Sequence, residues 1–322
     1  GILFILLTVT NVRKLIVDAI PMNLKRAIGA GIGLYIAFIG LKSAGIIVSS
    51  EATSVTLGNL GDKTVILALA GLVITSVLVI TKVRGGMLLG IIATTLIGIP
   101  MGVTHYGGIV STPPSISEIF CQFEWGRIFS WDMLVVVFTF LFIDMFDTIG
   151  TVVGVSVKSG MVDEKGNVDG INRVLMADSV ATVAGAMFGT STTTTYIESA
   201  SGVSEGGRTG LTSFVIALCF AVALFFSPIF LAIPGAATGP VLFIVGVMMM
   251  SPVKDIDWGD YSESIPAFVT MLLMPLAYSI SDGIMLGMIS FVLLNAISGK
   301  FRKISVMMWI LALLFILRYI LV

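Results

Sequence analysis

The sequence predicts an all-α polytopic membrane protein, and three observations carry that reading. Hydrophobic residues fill 57% of the 322 positions and charged residues only 11%, against about a quarter charged in water-soluble domains. Apolar runs long enough to cross a bilayer at about 1.5 Å per residue recur along the whole chain. The basic residues are spread unevenly between the loops that join those runs.

In chain order, spans are expected near 27–48, 64–81, 86–104, 133–157, 171–189, 209–233, 237–251, 264–280, 281–298 and 304–321. The opening GILFILLTVTN begins inside an apolar run, with no initiator methionine and no basic stretch such as precedes a signal-peptide core. Residues 1–16 are therefore expected to be the remainder of a span in a chain missing its N-terminal part. The whole chain reads as a single membrane transporter domain.

If the loop 11–26 faces the cytoplasm, alternation places the loops 82–85, 158–173 and 252–263 on the same side, with Arg208 and the group Lys300, Arg302 and Lys303. Of the 18 basic residues only Lys42, Lys63, Arg127 and Arg318 then fall outside. That asymmetry is what the positive-inside rule expects of a cytoplasmic-membrane protein. It also requires the segment in the 190s to cross, or nearly so. The net charge of −1 excludes the basic stripe that a nucleic acid would need.

Several apparent motifs carry little. Two cysteines define no disulfide framework: Cys121 falls in the outer loop and Cys219 mid-span, where a buried apolar role is the ordinary one. The single His105 lies in the loop 105–131, and one histidine is not a metal site. AIGAGIG at 27–33 lacks dinucleotide-loop spacing and a preceding strand, so Gly29 and Gly33 read as helix packing. DEKGNVDG at 163–170 has Val168 and Val174 where a calcium loop needs Gly and Glu, and reads as a solvated turn. The acids Asp255, Asp257, Asp260 and Glu263 read as a cytoplasmic loop. No metal and no cofactor is expected.

Asp144, Asp147, Asp178 and Glu198 are carboxylates at membrane depth. Each costs at least about 2.5 kcal/mol there, so such residues normally face a cavity or a partner. Asp144 and Asp147 in FLFIDMFDTIG lie about a dozen residues into their span, roughly 18 Å deep and close to the midplane. Their spacing of three sets both on one helix face, with no cation in the same span. Two close carboxylates in low dielectric resist being ionised together, which makes the pair a proton site. Asp178, nearer the cytoplasmic end of its span, reads as structural.

The stretch GTSTTTTYIESASGVSEGG at 189–207 breaks the helical pattern. Thr192 to Thr195 are β-branched and favour extended backbone, while Gly189, Gly202, Gly206 and Gly207 discourage a long helix. A short extended segment near 192–196 followed by a half-helix around 197–205 is expected. Irregular backbone survives at membrane depth only where protein buries it or where it lines a cavity. Discontinuous segments of this kind build the midplane sites of secondary transporters. Glu198, at the junction, is placed to accept hydrogen bonds from a ligand's N–H pair.

FIDMFDTIGTVVGV, GTSTTTTYIESASGVSEGGRTGLTS, AIGAGIGLYIAFIGLKSAGIIV and VGVMMM with the following IDW loop resemble the AzgA-like purine permeases, the hypoxanthine, adenine and guanine branch of the nucleobase–cation symporters. The resemblance runs along essentially the whole chain. It implies two inverted seven-span repeats forming core and gate domains, with the first three spans absent here. By that reading 24–104 supplies mainly gate-type spans, 132–207 core-type spans carrying the site, and 208–322 the remainder of both. It also implies proton-coupled purine uptake, with Asp144, Asp147, Tyr196, Ile197, Glu198 and Ser199 as substrate-binding residues. Proton coupling falls to Asp147, Asp144 and Thr151, the last standing where related uracil permeases carry a histidine. The implied partners are a purine nucleobase, the proton, the bilayer and a second copy of the chain through the gate domain.

Other functions fit less well. Transport of another nucleobase, uracil or xanthine, is the nearest alternative. An anion exchanger of the same architecture would meet a carboxylate-lined site. An intramembrane aspartyl protease needs two carboxylates converging from separate helices, whereas Asp144 and Asp147 share one. No nucleophile–base pair offers itself for an enzyme, and transport is the expected function.

Overall fold

The computed structural model of the protein describes residues 1–321 apart from 114, 125, 127–129, 164–166 and 197, and of residues 131, 132, 135, 158 and 321 the backbone only. Arg127 and Ile197, which enter the expectations above, lie outside the described residues, as does the middle of the turn 163–170.

Helices dominate. In chain order they are α1 (Ile2–Val9), α2 (Val12–Ala19), α3 (Met22–Ser43), α4 (Lys63–Ile80), α5 (Gly86–Met101), α6 (Trp131–Ser159), α7 (Ile171–Met187), α8 (Ser199–Ser204), α9 (Gly210–Ala223), α10 (Ser227–Leu231), α11 (Gly235–Met249), α12 (Tyr261–Leu276), α13 (Ile280–Ile297) and α14 (Val306–Leu321). A hairpin of β1 (Ile47–Ser50) and β2 (Ser54–Leu57) follows α3. Among the described residues five helical stretches are long and apolar enough to span a membrane, beginning at Met22, Lys63, Val136, Gly235 and Ile280. Shorter apolar helices run over Gly86–Met101, Gly210–Ala223 and Val306–Ile320.

Side-chain caps mark where several of these helices start. Asp62 accepts from the Thr64 N–H at α4, Ser130 from the Met133 N–H at α6, Asp260 from the Ser262 N–H at α12 and Ser279 from the Asp282 N–H at α13. Each satisfies an N–H that the first helical turn leaves without a partner. α6 stops at Gly160, whose φ of +71° is open to glycine at no steric cost.

The chain folds as two compact units. One contains Gly1–Leu34, Ser115–Ser199 and the chain from Met249 onward. Within it α13 packs on α6, α12 and α14, while α1 and α2 pack on α7. Phe315 of α14 meets Phe146 of α6 edge-on, with ring centroids 4.8 Å apart. A contact of that geometry adds about 0.5–1.5 kcal/mol beyond area burial. A second cluster gathers Ala27, Ala30, Ile256, Ala267 and Met271.

The other unit contains Tyr35–Pro114 and Ala200–Met248. Its core centres on Ala44, Leu67, Ala68 and Ala236. There the helices α3 and α11 touch backbone to backbone: a Cβ on Gly239 would lie 2.5 Å from the Gly40 carbonyl oxygen, and one on Gly40 as close to that of Gly239. Small residues allow this approach where apolar lipid offers no hydrophobic drive to associate.

Four sequence expectations need correction. The stretch 11–26 is mostly helical, since α2 and the start of α3 fill it, and α1 ends at a break where Asn11 takes φ +60°. The span placed at 27–48 ends at Ser43, because Gly45 at φ +73° turns the chain into β1, paired antiparallel with β2 from Ile47↔Leu57 to Ser50↔Ser54. The span at 209–233 is divided into α9 and α10. Cys219 is exposed rather than buried, on a helix that buries no residue against the rest of the protein.

Candidate functional site

Helix α6 carries both acids. Asp144 is 8% exposed, and its Oδ2 accepts from the Thr192 hydroxyl at 3.0 Å. One turn further along α6, the hydroxyls of Thr148 and Thr194 lie 2.8 Å apart. The spacing explains the run of threonines. Residues four apart on a helix are separated by about 6 Å along its axis, and residues two apart on an extended chain by about 6.6 Å. Thr192 and Thr194 thus meet Asp144 and Thr148 in register. Thr193 has its hydroxyl beside Gly185 of α7 and offers its carbonyl to the Thr182 hydroxyl of the same helix at 3.0 Å.

Asp178, on α7, is held in a buried ion pair. Its Oδ2 lies 3.0 Å from an Arg13 guanidinium nitrogen, with both side chains almost wholly buried. Arg13 also donates to Ser179 Oγ at 2.9 Å and to the Leu175 carbonyl at 3.1 Å, and its guanidinium sits 4.5 Å from the centroid of the Phe4 ring. Asp178 Oδ1 accepts from Thr148 at 3.1 Å. The structural role read for Asp178 from the sequence therefore has a partner, and that partner is a residue the sequence placed among loop charges. No local signal marks Arg13, because the chain distance to Asp178 is 165 residues.

A cavity of about 210 Å³ opens beside these residues, lined by Gly1, Leu3, Phe4, Val137, Phe140 and Leu141 with Asp144, Thr182 and Thr192. Apolar walls with a few convergent polar groups are the usual make-up of a small-molecule site. The polarity of its polar corner follows from proton counting. A hydroxyl has one proton to give. Thr192 gives its proton to Asp144, and Thr182 gives its own to the carbonyls of Asp178 and Thr193. What these three side chains turn to the cavity, with Asp144 ionised, is lone pairs.

The other residues singled out in the sequence sit elsewhere. Asp147 is half-buried and turns to α13, where its Oδ1 accepts from the Ser281 N–H at 3.0 Å. A carboxylate at a helix N-terminus is favoured by the unpaired N–H groups and the helix dipole there. Thr151 is buried one turn beyond Asp147 on α6. Thr192–Tyr196 is irregular, and α8 follows it. Tyr196 is exposed, its carbonyl accepting from the Ser199 hydroxyl at the start of α8. Glu198 is exposed and has no hydrogen-bond partner among the described residues. Of the residues expected at the site, Asp144 lines the cavity and Tyr196, Glu198 and Ser199 do not. Thr148, Thr182, Thr192 and Phe4 were not picked out. Thr148 was within reach, standing one turn from Asp144 on the same face.

The sequence profile described as the permease family, that of the xanthine/uracil permeases, matches residues 1–315. The chain belongs to that family. Among its curated relatives are the guanine/hypoxanthine permease PbuO of Bacillus subtilis, 44% identical over 99% of this chain and 75% of its own length, and the adenine permease AdeP of Escherichia coli, 41% identical over 98% and 71%. The transmembrane domain of the cyanobacterial bicarbonate transporter BicA superposes with a TM-score of 0.53, covering 89% of this chain and 73% of that one. At 17% identity that likeness extends to the fold alone. This family member is a multi-pass membrane protein.

Proposed function

We propose that this protein moves purine nucleobases, hypoxanthine, guanine or adenine, across the cytoplasmic membrane together with protons. The observation that carries the reading is the corner of acceptor side chains formed by Asp144, Thr182 and Thr192 in a cavity whose other lining side chains are apolar. A purine is a flat apolar body with N–H donors at its rim, and it fits such a wall. The relatives named as guanine/hypoxanthine and adenine permeases support the same substrate class. An anion is disfavoured, since the buried guanidinium of Arg13 is already neutralised by Asp178. The protein acts as a carrier and not as an enzyme.

Asp144 reads the ligand's N–H groups in this proposal, and Asp147 carries the coupled proton. Tyr196, Ile197, Glu198 and Ser199 add further contacts to the ligand, as the resemblance implies, and Thr151 supports Asp147 from the next turn of α6. Residues 132–207 belong to a moving core and 24–104 mainly to a gate through which two copies pair. The loops 82–85, 158–173 and 252–263 face the cytoplasm, as the distribution of basic residues favours.

Uptake of labelled hypoxanthine, guanine and adenine by cells expressing the gene, with and without an uncoupler, tests the reading. Accumulation that collapses with the uncoupler is expected, and absence of purine uptake refutes the substrate class. Asp147→Asn is expected to keep purine binding while abolishing accumulation driven by an imposed pH gradient, because a gradient that no longer changes site occupancy does no work. Concentrative uptake by that variant would remove Asp147 from coupling.

A further inference from the structure

We propose that Arg13 and Asp178 are positioning residues for the site, acting through Thr148 to fix the direction of the hydroxyl hydrogen bonds that hold the extended threonine segment. The ligand-binding part of this inference rests on the purine reading above, while the ordering of the segment does not.

The argument is one of donors and acceptors. Arg13 occupies Oδ2 of Asp178 at 3.0 Å, and Oδ1 receives the Thr148 hydroxyl at 3.1 Å. An ionised carboxylate can only accept, so Thr148 spends its single proton on Asp178. Toward Thr194, 2.8 Å away, Thr148 can then only accept, and Thr194 must donate. The buried charge on α7 thereby orients two successive hydroxyls and pins Thr194 to α6. Thr194 and Thr192 lie on one face of the segment, so fixing the first sets the second opposite Asp144. A second tie runs from the same residue, since the Asp178 carbonyl and the Thr193 carbonyl share the Thr182 hydroxyl. A buried ion pair is weak evidence of stabilisation, because apolar replacements of both partners are often neutral or better. Its retention here makes sense if it does something a hydrophobic pair cannot, and supplying a directional acceptor to Thr148 is such a task.

Two double variants separate orientation from mere buttressing. Arg13→Met with Asp178→Leu removes both charges and the acceptor; Arg13→Met with Asp178→Asn removes both charges but keeps an amide oxygen for Thr148. The protein in nanodiscs is read by amide hydrogen exchange over residues 190–196 without ligand, and by equilibrium binding of hypoxanthine. The Leu variant is expected to exchange about tenfold faster over that segment and to bind hypoxanthine about tenfold more weakly, the equivalent of one hydrogen bond, while the Asn variant stays within about threefold of the parent in both. Thr148→Val, which leaves the ion pair intact, is expected to reproduce the Leu phenotype, and it decides the matter if the Leu variant does not fold. Equal exchange in the Leu and Asn variants, or unchanged exchange in Thr148→Val, would overturn the proposal. If the parent binds no hypoxanthine, the purine reading fails by itself, and the exchange data still judge the positioning role.

Discussion

The contact between Thr192 and Asp144 can be weighed by a double-mutant cycle. Thr192→Val removes one hydroxyl and keeps the β-branched shape, so the extended backbone preference of the run survives. The hydroxyl donates over 3.0 Å to a carboxylate that is 8% exposed. A hydrogen bond to a charged group contributes about 1.5–3 kcal/mol when both ends are dry. Thr192 itself is exposed, so water can replace part of what is lost and about 1 kcal/mol is the better expectation. Asp144→Asn keeps an acceptor but not the charge, and in that background Thr192→Val should cost only a few tenths. The coupling energy between the two changes is therefore about 0.5–1 kcal/mol, inside the range usual for residues in direct contact. Reversible unfolding of the four proteins in detergent measures it, and hypoxanthine affinity on the same four reports whether orientation of Asp144 matters to the ligand. Additive effects within about 0.3 kcal/mol would show that the two side chains do not cooperate and would sink the register argument built on them.

Further outcomes follow from contacts elsewhere. Arg13→Ala leaves the Asp178 carboxylate buried without its cation, and unfolding measurements should show a loss of about 3–5 kcal/mol; a variant as stable as the parent would mean that Asp178 gains no stability from the pair. Gly239→Leu forces side-chain atoms into the space held by the Gly40 carbonyl, and should lower stability by about 1–3 kcal/mol or prevent folding, read by thermal melting of purified protein. The Lys300 and Lys303 ammonium groups and Ser262 hold the half-buried Asp260 carboxyl below the usual carboxylate range, Lys300 foremost, while Asp260 raises Lys303 in return. A depressed carboxyl stabilises above its unfolded value of about 3.9 and loses that contribution as the pH falls through the folded one. The raised Lys303 contributes fully below about 10.4 and loses it at more alkaline pH. The melting difference between the parent and Asp260→Asn should thus be constant from about pH 5 to 9 and shrink below about pH 4; a difference that persists in acid would refute the ion-pair account.

The spans were legible in the sequence because apolar length is a property of each segment by itself. The hairpin after α3 was not, since Ile46, Ile47 and Val48 continue the apolar run and Gly45 alone marks the turn. Asp144 and Asp147 stood out as acids without a cation in their own span, but the same spacing that put them on one face did not say that one would meet the threonines and the other the start of α13. Arg13 was hidden by its neighbourhood: a cation beside Asn11 and Lys14 looks solvated, and only the folded chain brings it to α7. Glu198 shows the reverse. Its polar, small-residue surroundings read as a site, yet in the folded chain its side chain is exposed.

The alternation of Thr192, Thr193 and Thr194 between α6 and α7 has a consequence for how this segment can change. Serine at any one of these positions would keep its hydroxyl in place. Deleting or inserting a single residue upstream would displace each threonine from its partner, turning toward α6 what had served α7 wherever the chain keeps the two-residue side-chain alternation seen at 192–194. The run is therefore counted more strictly than it is spelled. Between the Gly189 turn and the start of α8, parity of length is the property to preserve, and a one-residue deletion there should be worse tolerated than any single hydroxyl loss within it.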